Sequence, residues 1–217
     1  MQAVGRLELT RYAIADRYRV GRRRATRLLS WKSMRGGSNI HPQRRTMLWI
    51  NLLGGSAVLA SYAHGLLTHP STRASLWGQV PQAILPLYEI SMLLAVGGYC
   101  AFTYFLLFRL NPDQARVANR FGFSLLNLVY VLILVPSAAW MPLTFAMIEH
   151  PASSLWFAIR LISALVGIGS VGLFVALLTL RPRKPAWVYW LAVIGSLVFC
   201  IQTALLDALV WPTFFPV

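Results

Sequence analysis

Five long apolar stretches constrain this chain more than any other feature. Each reaches about 20 residues or more, the length that a helix needs to cross the hydrocarbon core of a bilayer. They cover residues 47–67, 82–108, 121–147, 154–180 and 186–211. Hydrophobic residues make up 57% of the chain and charged residues only 12%, well below the charged share of soluble domains. The sequence therefore predicts an all-α integral membrane protein, a bundle of five transmembrane helices.

The connections between the predicted spans are short and are marked by Pro, Arg or His. They are HPSTRAS at 69–75, RLNPDQARVANR at 109–120, EHPASS at 149–154 and RPRK at 181–184. None is long enough to form a soluble domain. The chain is therefore predicted to divide into a basic N-terminal tail, residues 1–45, and a transmembrane domain, residues 46–217.

Basic residues are concentrated in the predicted tail. Twelve of the 20 Lys and Arg residues precede Thr46, against two acidic residues, Glu8 and Asp16. A basic run that leads into an apolar stretch is typical of contact with anionic lipid headgroups, and we favour this interpretation over nucleic-acid binding. No apolar segment with a small-residue cleavage site precedes Thr46, so a cleaved secretory signal is not expected, whereas a mitochondrial transit peptide stays open.

The basic residues of the connections predict the orientation, because Lys and Arg are retained on the cytoplasmic side. The connections at 109–120 and 181–184 carry three each, whereas 69–75 carries one and 149–154 none. Together with the basic tail, this predicts the N-terminus inside and the C-terminus outside. A bacterial inner membrane and a mitochondrial or other organelle membrane both fit this pattern.

Ionisable residues inside the predicted spans are candidates for function, because an unpaired charge in the hydrocarbon costs several kcal/mol. Glu89 and Arg160 carry opposite charges at about 12 and 10 Å from the outer ends of their spans, so we predict that they interact. A closed structural ion pair is one interpretation. The other is a partly hydrated ligand cavity that opens toward the outer face. Its predicted lining is His64, Tyr88, Glu89, Trp140, Arg160, Gln202 and Asp207.

Two prolines and several small residues predict how the helices pack. Pro136 and Pro142 each remove a backbone donor inside the third span and can kink it beside Trp140, which would shape a pocket. Plain tolerance of proline in membrane helices is the alternative. Gly and Ser residues in the first, second and fourth spans predict close helix approach, and one such face would suit a homodimer.

Catalytic motifs are missing from the sequence. It contains no G-x-S-x-G, H-E-x-x-H or Walker-type glycine loop, and its four His residues are scattered. Cys100 and Cys200 lie inside apolar stretches and are interpreted as packing residues. We therefore do not expect an enzyme, and no cofactor or metal site is predicted.

The third span carries a more specific pattern. In SAAWMPLTF at 137–145, Trp140, Pro142, Leu143 and Phe145 match the third-helix pattern Asn-x-x-Trp-x-Pro-Leu-Phe-Phe. That pattern is typical of the TspO translocator-protein family, also called the tryptophan-rich sensory or peripheral-type benzodiazepine receptor family, which this chain resembles as a divergent member. Ser137 stands in place of the family's Asn.

The second and fifth spans extend this resemblance over about residues 47–215. LPLYEISMLLAVGGY at 85–99 is similar to the family's second-helix segment, with Tyr88 in place of a Trp. TALLDALVW at 203–211 is similar to its last-helix ending, with Asp207 in place of an Asn. The resemblance implies a five-helix bundle, commonly a dimer, that binds porphyrins, sterols or synthetic ligands near the first connection.

Two hypotheses of function follow. The first is a TspO-like protein that binds or transports a hydrophobic ligand, such as a porphyrin whose rings stack on Trp140 and whose carboxylates reach Arg160. The second is a structural or assembly subunit of a larger membrane complex, in which Glu89 and Arg160 merely pair. Polar residues that face one cavity favour the first hypothesis, and polar residues that face one outer surface favour the second.

The orientation can be tested by cysteine-accessibility labelling in a background that lacks Cys100 and Cys200. Because positions 73 and 150 lie in the two connections with few bases, Arg73→Cys and His150→Cys should react with an impermeant reagent only from the outside. Labelling of both from the inside would overturn the orientation, although not the number of helices.

Overall fold

The computed structural model of the chain describes residues 40–215, which are mostly helical. Five helices in this part of the chain are long and apolar enough to cross a membrane, which confirms the predicted number and approximate positions of the spans. Residues 1–39 of the predicted basic tail lie outside the described residues, and the orientation in the membrane stays a prediction. The five helices are Pro42–Thr68 (α1), Leu85–Arg109 (α2), Ser124–Glu149 (α3), Ser153–Thr179 (α4) and Ala186–Phe214 (α5).

The helix α1 begins before the predicted boundary at residue 46. The side chain of His41 accepts a hydrogen bond from the backbone N–H of Gln43 at 3.2 Å, and Pro42 occupies the first turn, where its missing N–H does no harm. Arg44 consequently belongs to the helix rather than to the tail, and its Nη2 donates to the carbonyl of Leu110 at 2.9 Å.

The five helices pack as a ring in the order α1, α3, α4, α5, α2. The most extensive contacts join α3 to α4 and α2 to α5. Tyr99 on α2 closes the ring by donating a hydrogen bond to Asn51 Oδ1 on α1 at 2.5 Å. The hydroxyls of Thr103 on α2 and Tyr130 on α3 lie 2.9 Å apart, so a polar link also crosses the bundle.

The connections distinguish two ends of the bundle. The α1–α2 and α3–α4 connections meet at what we call the upper end, where His69 Nε2 lies 3.1 Å from Glu149 Oε1. The α2–α3 and α4–α5 connections meet at the lower end, where strand β1 (Arg116–Val117) pairs antiparallel with strand β2 (Leu180–Arg181). With the orientation predicted above, the upper end faces outside.

Buried apolar side chains form one cluster at each end. The lower cluster is the larger and includes Phe102, Phe105, Tyr130 and Tyr189. The upper cluster is built around Tyr88, Ile159 and Trp211 and gathers further partly buried aromatic rings. Because the two clusters are separate, the upper end has its own core beneath the α1–α2 connection.

The helix α3 is continuous from Ser124 to Glu149 despite Pro136 and Pro142. Two hydroxyls near these prolines bond back to carbonyls of their own helix, Ser137 Oγ to Ile133 at 2.7 Å and Thr144 Oγ1 to Trp140 at 2.8 Å. Such back-bonds satisfy side-chain donors inside the helix. The hydroxyl of Ser137 is therefore already occupied.

The helices α2 and α5 touch through their backbones at Gly98 and Gly195. A Cβ atom on Gly98 would collide with the carbonyl oxygen of Gly195, and one on Gly195 would lie 2.8 Å from Gly98 Cα. Neither glycine therefore has room for a side chain, as expected for small residues at a close helix crossing. The neighbouring Gly97 has nothing within 4 Å of the corresponding position.

Gly98→Ala should destabilise the bundle because the added methyl group pushes the backbones of α2 and α5 apart. Overpacking of this kind typically costs about 1–3 kcal/mol. Thermal unfolding in detergent measures the effect, and Gly97→Ala is the matched control on the same helix. Equal melting temperatures for the two variants would contradict the close contact.

Candidate ligand site

Each of the five helices contributes one aromatic ring to the interior of the upper end. Tyr62 on α1 stacks on Trp140 of α3 with ring centroids 6.1 Å apart. Trp140 lies 5.5 Å from Trp211 on α5, which in turn lies 6.2 Å from Trp156 on α4. Tyr88 on α2 is buried in the same cluster. We call these five rings the aromatic ring set.

The α1–α2 connection covers the aromatic ring set and is fastened to the end of α5. Trp211 Nε1 donates to the carbonyl of Leu76 at 2.9 Å, and the backbone N–H of Gln79 donates to the carbonyl of Phe214 at 2.7 Å. Gly78 permits this approach, because its φ of 57° is unfavourable for other residues and a Cβ there would lie 2.6 Å from the Phe214 carbonyl oxygen. Trp77 then packs edge-on against Tyr88, with centroids 5.9 Å apart.

The same connection is also fastened to α3. The ring of His69 stacks on Phe145 with centroids 4.2 Å apart, and its Nε2 lies 3.1 Å from a carboxylate oxygen of Glu149. The connection thus bridges α3 and α5 and forms a roof over the upper cluster.

A stretch of π-helix in α5 supplies the polar groups beneath the roof. The ten residues Ile201–Val210 are π-helical, so residues five apart share a face there, whereas residues three or four apart do so in an α-helix. Gln202 Nε2 accordingly donates to Asp207 Oδ1 at 2.8 Å. Short π-helical insertions are frequent at functional sites.

Two polar atoms near this pair are buried without a hydrogen-bond partner. They are the indole Nε1 of Trp140, a donor, and the amide Oε1 of Gln202, an acceptor. In the structure the amide nitrogen of Gln202 faces Asp207, and Oε1 is left without a partner. An unsatisfied buried group costs about 1–3 kcal/mol, and a bound molecule would offset that cost for both atoms. Arg44 Nε, Thr72 Oγ1 and Asn127 Oδ1 are also buried without a partner, elsewhere in the described chain.

Asp207 is the one acidic residue of this group. Its carboxylate lies close enough to Tyr62 and Tyr88 to interact electrostatically with both hydroxyls. No Lys, Arg or His among residues 40–215 forms an ion pair with it. The upper interior therefore combines a carboxylate, a free donor and a free acceptor with aromatic walls, which is the composition of a small-molecule site.

The structure brings together four of the nine residues that the sequence analysis proposed for the site: Tyr88, Trp140, Gln202 and Asp207. Ser137 lies one turn from Trp140, but its hydroxyl bonds to its own helix. His64, Glu89, Pro142 and Arg160 are exposed on the outside of the bundle.

The predicted interaction between Glu89 and Arg160 is wrong, since no ion pair joins them in the described chain. Their helices are separated in the ring by α5, and each neighbouring residue, Tyr88 or Ile159, is buried. Because successive helical residues point about 100° apart, burial of the neighbour turns both charges outward. The guanidinium of Arg160 instead lies 6.0 Å from the ring centroid of Trp156.

Sequence reasoning did not include Tyr62, Trp156 or Trp211 among the site residues. A common signal links the three, because each spanning helix carries a Tyr or Trp within about three turns of its upper end. His69 and the other residues of the roof carry no such signal, because the residues of α3 and α5 that they contact are far from them in the sequence.

Comparison with protein-family models, with curated proteins and with solved structures returned no match to this chain. The resemblance to the TspO family stays a prediction that rests on the residues quoted above.

Proposed function

We propose that this membrane protein binds a hydrophobic ligand beneath the roof, among the five rings of the aromatic ring set. The observation that carries this proposal is the pair of buried, unpartnered atoms, Trp140 Nε1 and Gln202 Oε1. A bound molecule with one acceptor and one donor would satisfy both, whereas a bundle that only had to be stable would gain by replacing them with apolar groups.

The surroundings of these atoms favour a flat, largely apolar ligand. Tyr62 and Trp140 stack on each other, and Trp211 meets Trp140 at 65°, so a planar molecule that enters between these rings would pack against both faces and edges. A porphyrin or a sterol, the ligand classes implied by the TspO resemblance, has this character. Arg160 beside Trp156 would reach a carboxylate only at the rim of the site.

We further propose that the upper end faces outside, as the bases of the connections predict, so the ligand is bound in the outer half of the membrane. Such a site is compatible with both transport and sensing. Because the proposed site lies within one chain, two copies could also form a homodimer without changing it.

The site can be tested by quenching of tryptophan fluorescence on titration with protoporphyrin IX, and by energy transfer to dehydroergosterol as the neutral sterol. Trp140→Ala should raise the Kd of both about tenfold through lost ring contact, while Trp77, Trp156 and Trp211 still report binding. Arg160→Ala should weaken the porphyrin and leave the sterol unchanged.

The control is Trp187→Ala, which removes an exposed tryptophan of the lower end that contacts neither the roof nor the ring set. Quenching that does not saturate, and that is equal in wild type and all three variants, would mean partition into detergent and would defeat the ligand proposal.

A second candidate function, a subunit of a larger membrane assembly, is favoured by the outward charges. Glu89 and Arg160 are exposed on apolar helices, where an unpaired charge is costly unless it reaches the headgroups or another protein. In its simplest form, Glu89 of one copy pairs with Arg160 of another copy.

Charge exchange tests this second function. Glu89→Arg and Arg160→Glu should each reduce the oligomeric fraction in native mass spectrometry, because they oppose like charges, and the double variant should restore it. Lys184→Glu, in the lower connections, is the control. A wild type that is monomeric in mild detergent, or single variants that assemble normally, would argue against a subunit held by this pair.

A further inference from the structure

The upper interior contains an acidic group with no basic partner. Asp207 is held on α5 by the π-helical turn and by Gln202, and among residues 40–215 it forms no ion pair. We propose that the ligand of this site is an apolar cation, an aromatic or alicyclic molecule with a protonated amine that binds Asp207. This inference rests on the ligand site proposed above and specifies the charge of its occupant.

No basic side chain balances the charge of Asp207 among the described residues. Asp207 acts electrostatically on the hydroxyls of Tyr62 and Tyr88, neither of which can neutralise a carboxylate. The Tyr88 hydroxyl donates to the carbonyl of Leu206 at 3.4 Å. The other ionisable side chains of the upper end are exposed or lie in the roof. His64, Arg73, Glu89, His150 and Arg160 are exposed, and His69 Nε2 lies 3.1 Å from Glu149 Oε1 in the roof.

Asp207 and Gln202 retain hydrogen-bond acceptors that are not used within the protein. Gln202 is 4% exposed, and its amide nitrogen occupies Oδ1 of Asp207. This leaves the second carboxylate oxygen and the unpartnered Oε1 of Gln202 as acceptors. An ammonium group carries three donors and no acceptor, so it matches two acceptors that a carboxylate or an ether of the ligand could not use.

The walls of the site are aromatic. Tyr and Trp rings attract cations through the negative potential of their faces, and the aromatic ring set supplies five such rings, among them the stacked pair Tyr62 and Trp140. A ligand carboxylate at the same depth would instead meet Asp207 and be repelled. Anionic groups are therefore restricted to the rim, and the deepest group is cationic.

The free N–H of Trp140 adds a condition on the ligand. Because an indole only donates, it requires an acceptor such as a hydroxyl, ether or carbonyl oxygen. The proposed ligand is therefore an apolar amine that also carries one oxygen acceptor. The preference for a cation depends on the amine only, so probes without the oxygen acceptor can test it.

The test compares three probes that share one ring system, namely 1-pyrenemethylamine, 1-pyrenemethanol and 1-pyrenecarboxylic acid. They are titrated into the full chain in a neutral detergent at pH 7, and binding is followed by energy transfer from tryptophan to pyrene. The wild type should bind the amine about tenfold more tightly than the alcohol, and the acid more weakly than both.

Asp207→Asn removes the charge but keeps an oxygen that accepts from Gln202, so it should abolish the preference for the amine over the alcohol. Glu89→Gln is the matched control, since it removes an equal charge from the outer surface and should preserve the preference. Unchanged thermal unfolding of both variants in detergent establishes that they fold.

The outcomes separate the two proposals. Saturable, Trp140-dependent binding of all three probes with equal affinity in the wild type would overturn the cation preference and leave the ligand site standing. Preference for the amine that survives in Asp207→Asn would likewise overturn it. Binding that never saturates, or that Trp140→Ala does not alter, would overturn the ligand site itself. The comparison of the three probes on the wild type needs no variant, so it tests the cation preference even if Asp207→Asn fails to fold.

Discussion

The direct backbone contact between Gly98 and Gly195 is the constraint on which the rest of the bundle depends. It brings α2 against α5 without intervening side chains and so keeps α5 between α2 and α4 in the ring. The helix α5 in turn carries the residues that matter most at the upper end, Gln202, Asp207 and Trp211. In a bilayer no hydrophobic force drives helices together, so such close van der Waals packing must fix their positions.

The π-helical stretch of α5 positions the polar residues of the proposed site. In a regular α-helix, the side chains of Gln202 and Asp207 would point about 140° apart around the axis, because each residue turns by about 100°. The wider turn aligns them, and it does so just before Trp211, whose indole is bonded to the roof. The change from α-helix to π-helix therefore determines how Gln202 and Asp207 lie relative to the roof. Ten π-helical residues exceed the single turn that most π-bulges show, and shorter π-helical stretches occur in α1 at Asn51–Gly55 and in α2 at Phe105–Arg109.

Much of the fold could be predicted from the sequence, because hydrophobic length alone determines where a chain crosses a membrane. The site was predicted only in part. Tyr88, Trp140 and Asp207 were identified because polar and aromatic residues in apolar stretches are conspicuous, but the direction in which each side chain points depends on helix rotation. For Glu89 and Arg160, matched depth suggested a pair, and rotation turned both outward. The roof was not predictable, since its bonds join residues far apart in the sequence.

The interior and exterior charges support different functions, and their energetic contexts differ. Arg160 and Glu89 at the bundle surface can extend toward the headgroups, so they can persist there at modest cost. Asp207 and the unpartnered atoms of Trp140 and Gln202 do not extend to the headgroups in this way. They lie beneath the roof, among rings contributed by all five helices. A purely structural subunit would gain stability by replacing them with apolar groups of similar size. The proposed ligand would supply the hydrogen-bond partners that these two atoms lack.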